Sequence, residues 1–208
     1  MITVRCAACE QARSTGRVPR EYDASINYLG TRPVNSGVMQ FRENMNDKLE
    51  LQVVVVNIDD QTKRFVTFLP ESFIFKHGLI SDIIVGEYKA LKDGELDLEN
   101  GFLANALFKE TIFSFVKTIM VKDQGLVNAA SKQKSGWVYV IDQRTPDPQG
   151  EVPPSDIIGA FEVIKGSLGD FNSNTNYQIN SKNGFVDLGS TRNIAFKKYL
   201  KSLVTKDA

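Results

Sequence analysis

Histidine and cysteine are scarce in this chain of 208 residues: His77 stands alone, and Cys6 and Cys9 are the only thiols. Together they supply three of the four ligands that a structural zinc site needs, so a complete Cys/His zinc site within one chain is excluded. Charge of one sign is also lacking, with 25 Lys plus Arg against 25 Asp plus Glu. No chain-wide basic field therefore exists to gather nucleic acid or anionic lipid. Long apolar runs are missing too. Stretches such as Leu51 to Ile58 fall far short of the roughly 20 residues that span a bilayer. Met1 to Gln11 contains no apolar signal core, and no Asn-x-Ser/Thr triplet occurs. The expected location is the cytoplasm. What the chain does have is an ordinary globular composition, 42% hydrophobic with 15 glycines, which excludes disorder along its whole length.

Cys6 and Cys9 form a Cys-x-x-Cys pair, a spacing that suits two thiolates on a metal or a redox couple. Thr3 to Arg5 is too short for the strand that a thioredoxin-like motif requires before it, and no fourth metal ligand is in view. The pair reads first as two reduced cysteines in a polar arm, with a metal-stabilised interaction module as one alternative. That arm covers residues 1–48, where Gly16, Pro19, Gly30, Pro33 and Gly37 interrupt any helical or alternating pattern. From residue 49 to 208 the texture is that of a single globular domain.

The β-branched run from Leu51 to Ile58, the polar break Asp59 to Thr62, and Phe65 to Leu69 predict a hairpin. Pro70 and Glu71 suit the start of a short helix, and Gly78 its end, with His77 in the last turn facing the negative pole of the dipole. A long helix is expected from Phe102 to about Val121, with an apolar stripe so wide that protein should surround it. A second helical piece runs from about Gln124 to Lys134. Trp137–Ile141 and Ile157–Ile164 read as strands, Asn183-Gly184 as a tight hairpin turn, and the stretch after Thr191 as an amphipathic helix. The fold class is α+β: a mainly antiparallel sheet around one long buried helix, with a C-terminal amphipathic helix and an irregular N-terminal arm.

The connection Asp142 to Asp156 draws attention because four prolines stiffen a run of charged groups at the end of a strand. Asp142, Arg144, Asp147 and Asp156 are the candidate binding residues, with Arg144 suited to a carboxylate or phosphate. Mutual pairing of these groups is the competing reading. Other constellations point to structure. Asp93, Glu95, Asp97 and Glu99 alternate as on one strand face, but no glycine stands where a calcium loop needs its sixth residue. Gly166 and Gly169 lack the rest of a phosphate loop, and no Gly-x-Ser-x-Gly elbow occurs. Asn172, Asn174, Asn176, Asn180 and Asn183 suit turns. Arg192, Lys197, Lys198, Lys201 and Lys206 form a basic helix face that reads as a solvated cover over a sheet.

The expectation is a non-enzymatic, soluble binding or interaction protein that uses the proline-rich loop to hold a small molecule or a protein partner. No cofactor or metal is expected, and neither membrane nor nucleic acid is favoured as a partner. The competing reading is a hydrolase or other enzyme that joins His77 to Asp142, Asp147 or Asp156, although no catalytic residue is marked by any motif.

Overall fold

The computed structural model describes residues 27–28, 48–58, 61–89, 101–145 and 151–206, and it is an α+β structure with antiparallel sheets and four helices among those residues. Within the expected arm, only Asn27, Tyr28 and Lys48 fall among them. The chain forms two compact units, one built on residues 50–105 and one on residues 106–202; Leu203 onward counts with the first and Lys48 with the second. The sequence alone suggests no boundary after residue 49.

The first unit holds a five-stranded sheet in the order β1 (Asn27–Tyr28), β2 (Gln52–Ile58), β3 (Gln61–Thr67), β4 (Gly86–Tyr88), β5 (Phe102–Ala104), with every neighbouring pair antiparallel. The expected hairpin is present but tighter, because Ile58 pairs with Gln61 and Thr62 with Asn57, so both polar residues are part of the ladder. Val53, Val54, Val55 and Val56 are all buried, so both faces of β2 are covered. Helix α1 (Glu71–His77) has Pro70 at its N-cap and Glu71 in the first turn, and Gly78 closes it at φ 88° by donating to Ile74 O at 2.8 Å. Asn105 ends the unit, its Nδ2 donating to Ser81 O at 2.9 Å and Ile84 O at 2.7 Å, while its N–H donates to Val85 O.

That asparagine corrects the helix expectation. Phe102 to Ala104 is a strand, and helix α2 spans only Ala106–Thr118, 13 residues. Phe108, Ile112, Phe115 and Val116 are buried, whereas Leu107, Glu110, Ser114 and Lys117 form an exposed stripe at helical spacing. The helix is therefore one-sided. Helix α3 (Gln124–Ser131) follows, with Asp123 as N-cap accepting from Leu126 N–H at 3.1 Å. Helix α4 (Ser190–Lys206) buries Asn193, Phe196 and Leu200; Phe196 lies 4.9 Å from Phe115 and 6.0 Å from Phe108, ring centre to ring centre. Among the described residues no helix is long and apolar enough to cross a membrane.

The second unit's sheet has the order β6 (Ser135–Ile141), β7 (Ile157–Ile164), β8 (Ser167–Ser173), all antiparallel, with a separate small hairpin β9 (Asn180–Ser181) and β10 (Gly184–Phe185). Lys165 and Gly166 join β7 to β8 with φ of 51° and 78°, the positive pair that a type I′ turn demands. In the hairpin β9–β10 the positive φ falls on Gly184 alone, at 102°, so Lys182-Asn183 is the tip and the glycine opens the second strand. On the inner face Phe171 packs against Phe161 at 5.0 Å and Phe113 of α2 at 6.4 Å. Phe171 also roofs Gly159, where a Cβ would stand 2.5 Å from the ring and 2.4 Å from Asn172 O. Gly159→Ala is expected to lower stability by about 1–3 kcal/mol through this clash, as urea unfolding would show.

Candidate functional site

Strand β6 ends at Ile141 and delivers Asp142 and Arg144 to the place where three other segments converge: the turn Pro154–Asp156, the stretch around Tyr177 to Ile179, and the hairpin β9–β10. Four backbone carbonyls gather there, two of which, Ile179 O and Ser155 O, also accept from the N–H groups of Val186 and Gln178, and a guanidinium carries enough donors to meet all four. Arg144 Nη1 donates to Ile179 O at 2.9 Å and Gly184 O at 2.8 Å. Its Nη2 donates to Ser155 O at 3.0 Å and to Gln178 O. The Tyr177 ring covers the guanidinium with its centre 5.5 Å from Cζ.

Two carboxylates flank this cation. Asp142 Oδ2 lies 3.4 Å from Arg144 Nε and accepts from Tyr177 OH at 2.9 Å, while Oδ1 accepts from the N–H groups of Arg144 at 3.1 Å and Asp187 at 2.9 Å. Asp156 Oδ1 lies 3.2 Å from Arg144 Nη2, and its Oδ2 accepts from Thr145 Oγ1 at 2.9 Å and Asn183 Nδ2 at 2.6 Å. The two carboxyls respond differently to burial. Loss of water pushes Asp142 up to about 6, against the pull of Arg144 and its hydrogen bonds. For Asp156 burial also raises the value, but hydrogen bonds from Asn183, Ser181 and Thr145, with the Arg144 charge, bring it below the usual carboxylate value. Burial, followed by the Asp142 charge, holds the Tyr177 phenol well above its ordinary value.

Three of the four candidate binding residues thus meet, but facing inward. The Arg144 side chain is 3% exposed and those of Asp142 and Asp156 are fully covered. They form no solvent-facing clamp: the acids pair with the arginine, its two Nη atoms meet the surrounding backbone while the buried Nε makes no hydrogen bond, and the cluster works as a buried tie between loops. Asp147 and the rest of 146–150 lie outside the described residues, as do Cys6, Cys9 and the acidic run Asp93 to Glu99. His77 belongs to the first unit, where its ring stacks on Phe73 at 4.5 Å at the end of α1, while Asp142 and Asp156 belong to the second. Among the described residues no three His, Cys, Asp or Glu side chains are grouped to hold a metal ion. Asn174 bridges Pro154 O and Ile157 O at 2.7 Å each, a structural role. On the basic helix face, Arg192 is paired with Asp123 at 2.9 Å and thereby holds that carboxyl below its usual range. Lys197 donates to Lys48 O, and Lys198 is exposed.

The exposed feature that sequence reasoning passed over lies on the outer face of the three-stranded sheet. Val138 and Val140 point inward and are buried, so the alternate residues Trp137 and Tyr139 point outward, 46% and 58% exposed. Ile164 shares that face at 52% exposed, its Cδ1 lying over Gly169. The alternation Trp-Val-Tyr-Val carried the signal, because a strand with one buried face must turn one of its two sets outward. Glu162 stands directly across from Trp137 in the register, and Asp170 and Asn172 alternate with the inward Phe171. Lys134 and Lys165 border the same end of the sheet around a shallow hollow of about 370 Å³. No protein-family model, no curated protein and no solved structure matches this chain.

Proposed function

We propose that this chain is a non-enzymatic interaction protein whose contact surface is the outer face of the sheet β6–β7–β8, and that the face meets a second copy of the chain. The observation that carries this reading is the exposure of the chain's one tryptophan beside Tyr139 and Ile164 on a sheet face. Aromatic side chains of this kind anchor protein interfaces, since they bury large areas with few rotatable bonds. The surrounding charges select the occupant. Lys134 and Lys165 stand at one end, and Glu162 and Asp170 stand nearer the middle, so the rim carries both signs. A polyanion would meet Glu162 directly beside Trp137. A second copy related by a two-fold axis through this face brings lysines of one protomer toward the acids of the other.

Sedimentation velocity of the full chain up to about 100 μM tests the proposal. The expected result is a reversible dimer, with the emission of the single tryptophan shifting to the blue as protein concentration rises. The double variant Trp137→Ala, Tyr139→Ala is expected to weaken dimerisation by about 2 kcal/mol or more while leaving the unfolding temperature of the dilute protein unchanged. A monomer at every concentration, or a dimer indifferent to the double variant, overturns it.

A further inference from the structure

We propose that Asn183 is a site of spontaneous, age-dependent deamidation whose product loosens the buried Arg144 network. Asparagine followed by glycine is the most permissive context for this chemistry, because the glycine amide has no side chain to hinder it. Asn183 is the half-buried second residue of the hairpin tip Lys182-Asn183, and Gly184 follows it as the first residue of β10. The backbone nitrogen of Gly184, on losing its proton, attacks Asn183 Cγ; ammonia leaves and a succinimide ring forms. Water then opens either carbonyl of the ring, which gives aspartate or isoaspartate. No oxidant or enzyme is needed.

The location gives the reaction a consequence. Asn183 Nδ2 donates to Asp156 Oδ2 at 2.6 Å, so conversion replaces a donor with a carboxylate at hydrogen-bond distance from another carboxylate. Asp156 then loses a principal support of its charged form. The isoaspartate product also inserts a carbon into the main chain one residue before Gly184, whose carbonyl accepts from Arg144 Nη1 at 2.8 Å. Both products strike the same buried tie from different sides.

Purified full-length protein held at mildly alkaline pH and physiological temperature, then mapped by peptide mass spectrometry, tests the inference. The expected result is a gain of about 1 Da per molecule localised to Asn183, part of it as isoaspartate, with a fall in unfolding temperature that grows with the converted fraction. Asn183→Asp is expected to show the lowered temperature from the start, and Asn183→Gln to keep its unfolding temperature on ageing even where Asn100-Gly101, the other Asn-Gly pair of the sequence, converts. Two results overturn it: Asn183 intact in the native protein while the urea-unfolded chain converts, or conversion with no change in unfolding temperature. The ageing series reads both outcomes even if Asn183→Asp fails to accumulate.

Discussion

Arg144→Ala is expected to cost about 3–5 kcal/mol of stability, the range typical of removing one partner from a buried ion pair. The variant leaves two buried carboxyls, Asp142 and Asp156, with no cation between them. It also strips a donor from the carbonyls of Ile179, Gly184, Ser155 and Gln178; Ile179 O and Ser155 O keep their bonds from the N–H groups of Val186 and Gln178, so the loss falls most on the part-buried Gly184 O. Against the 5–15 kcal/mol that ordinarily separates folded from unfolded protein, such a loss removes a large fraction of the total. Arg144→Lys recovers little, because an ammonium has three donors on one atom and cannot span two pairs of carbonyls as the planar guanidinium does. Guanidinium chloride unfolding gives the magnitude. Hydrogen exchange adds location: the amides of Asp187 and Val186, which donate to Asp142 Oδ1 and Ile179 O, are expected to lose protection in the variant. The pair Arg144→Ala with Asp142→Asn should lose less than the two single costs combined, since the second change removes one of the stranded charges. A loss below about 1 kcal/mol for Arg144→Ala would show that the guanidinium is dispensable to the fold.

Reading the sequence found the residues of this network without their direction, and the reason is physical. Asp142, Arg144 and Asp156 crowd one proline-rich connection, so composition singled them out. What decides between a solvent-facing clamp and a buried tie is the arrival of partners 35 to 45 residues away, Tyr177, Gly184 and Asp187, and no local pattern announces such an encounter. Local signals served well wherever local physics governs. The run of valines at 53–56, the Pro70 and Gly78 boundaries of α1, and the span Ile157–Ile164 appear where periodicity and turn chemistry put them. Strand β8 has no clear signature in the sequence because Ser167 to Ser173 has few apolar residues, and its turn places a lysine in the left-handed region where asparagine or glycine is usual. The sequence pattern overextends helix α2 because Phe102 and Leu103 fit the helical stripe, while the Asn105 side-chain bonds that hold the sheet-to-helix boundary reach partners about 20 residues back in the chain.

The second large effect concerns acidity, and its direction runs against the usual acid destabilisation. Arg144 carries one positive charge between two carboxyls, so one ionised carboxylate neutralises it, and the second negative charge is a burden in a site without water. Asp156, supported by Asn183, Ser181 and Thr145, keeps its charge to lower pH, and Asp142, raised to about 6 by burial, takes the proton first. The folded chain therefore binds a proton on Asp142 at a pH where the unfolded chain, with an ordinary aspartate near 3.8, does not. Stability from this group is fully present below the unfolded value and is lost as pH rises through about 6. Going from pH 7 down to about 4.5, the protein is expected to gain about 2 kcal/mol from Asp142. The gain ends where Asp156 and Asp123, whose folded values are lowered, begin to take protons and stability falls again, so the optimum lies on the acid side of neutrality. Urea unfolding across this range checks the slope. Asp142→Asn is expected to flatten it between pH 7 and 5, because the amide cannot titrate. In that variant an amide NH₂ also replaces one of the carboxylate oxygens that accept from Tyr177 and Asp187, which costs stability at every pH. Wild-type stability that falls steadily from pH 7 to 5 would show that Asp142 keeps its charge, and that both carboxylates remain ionised around the one arginine.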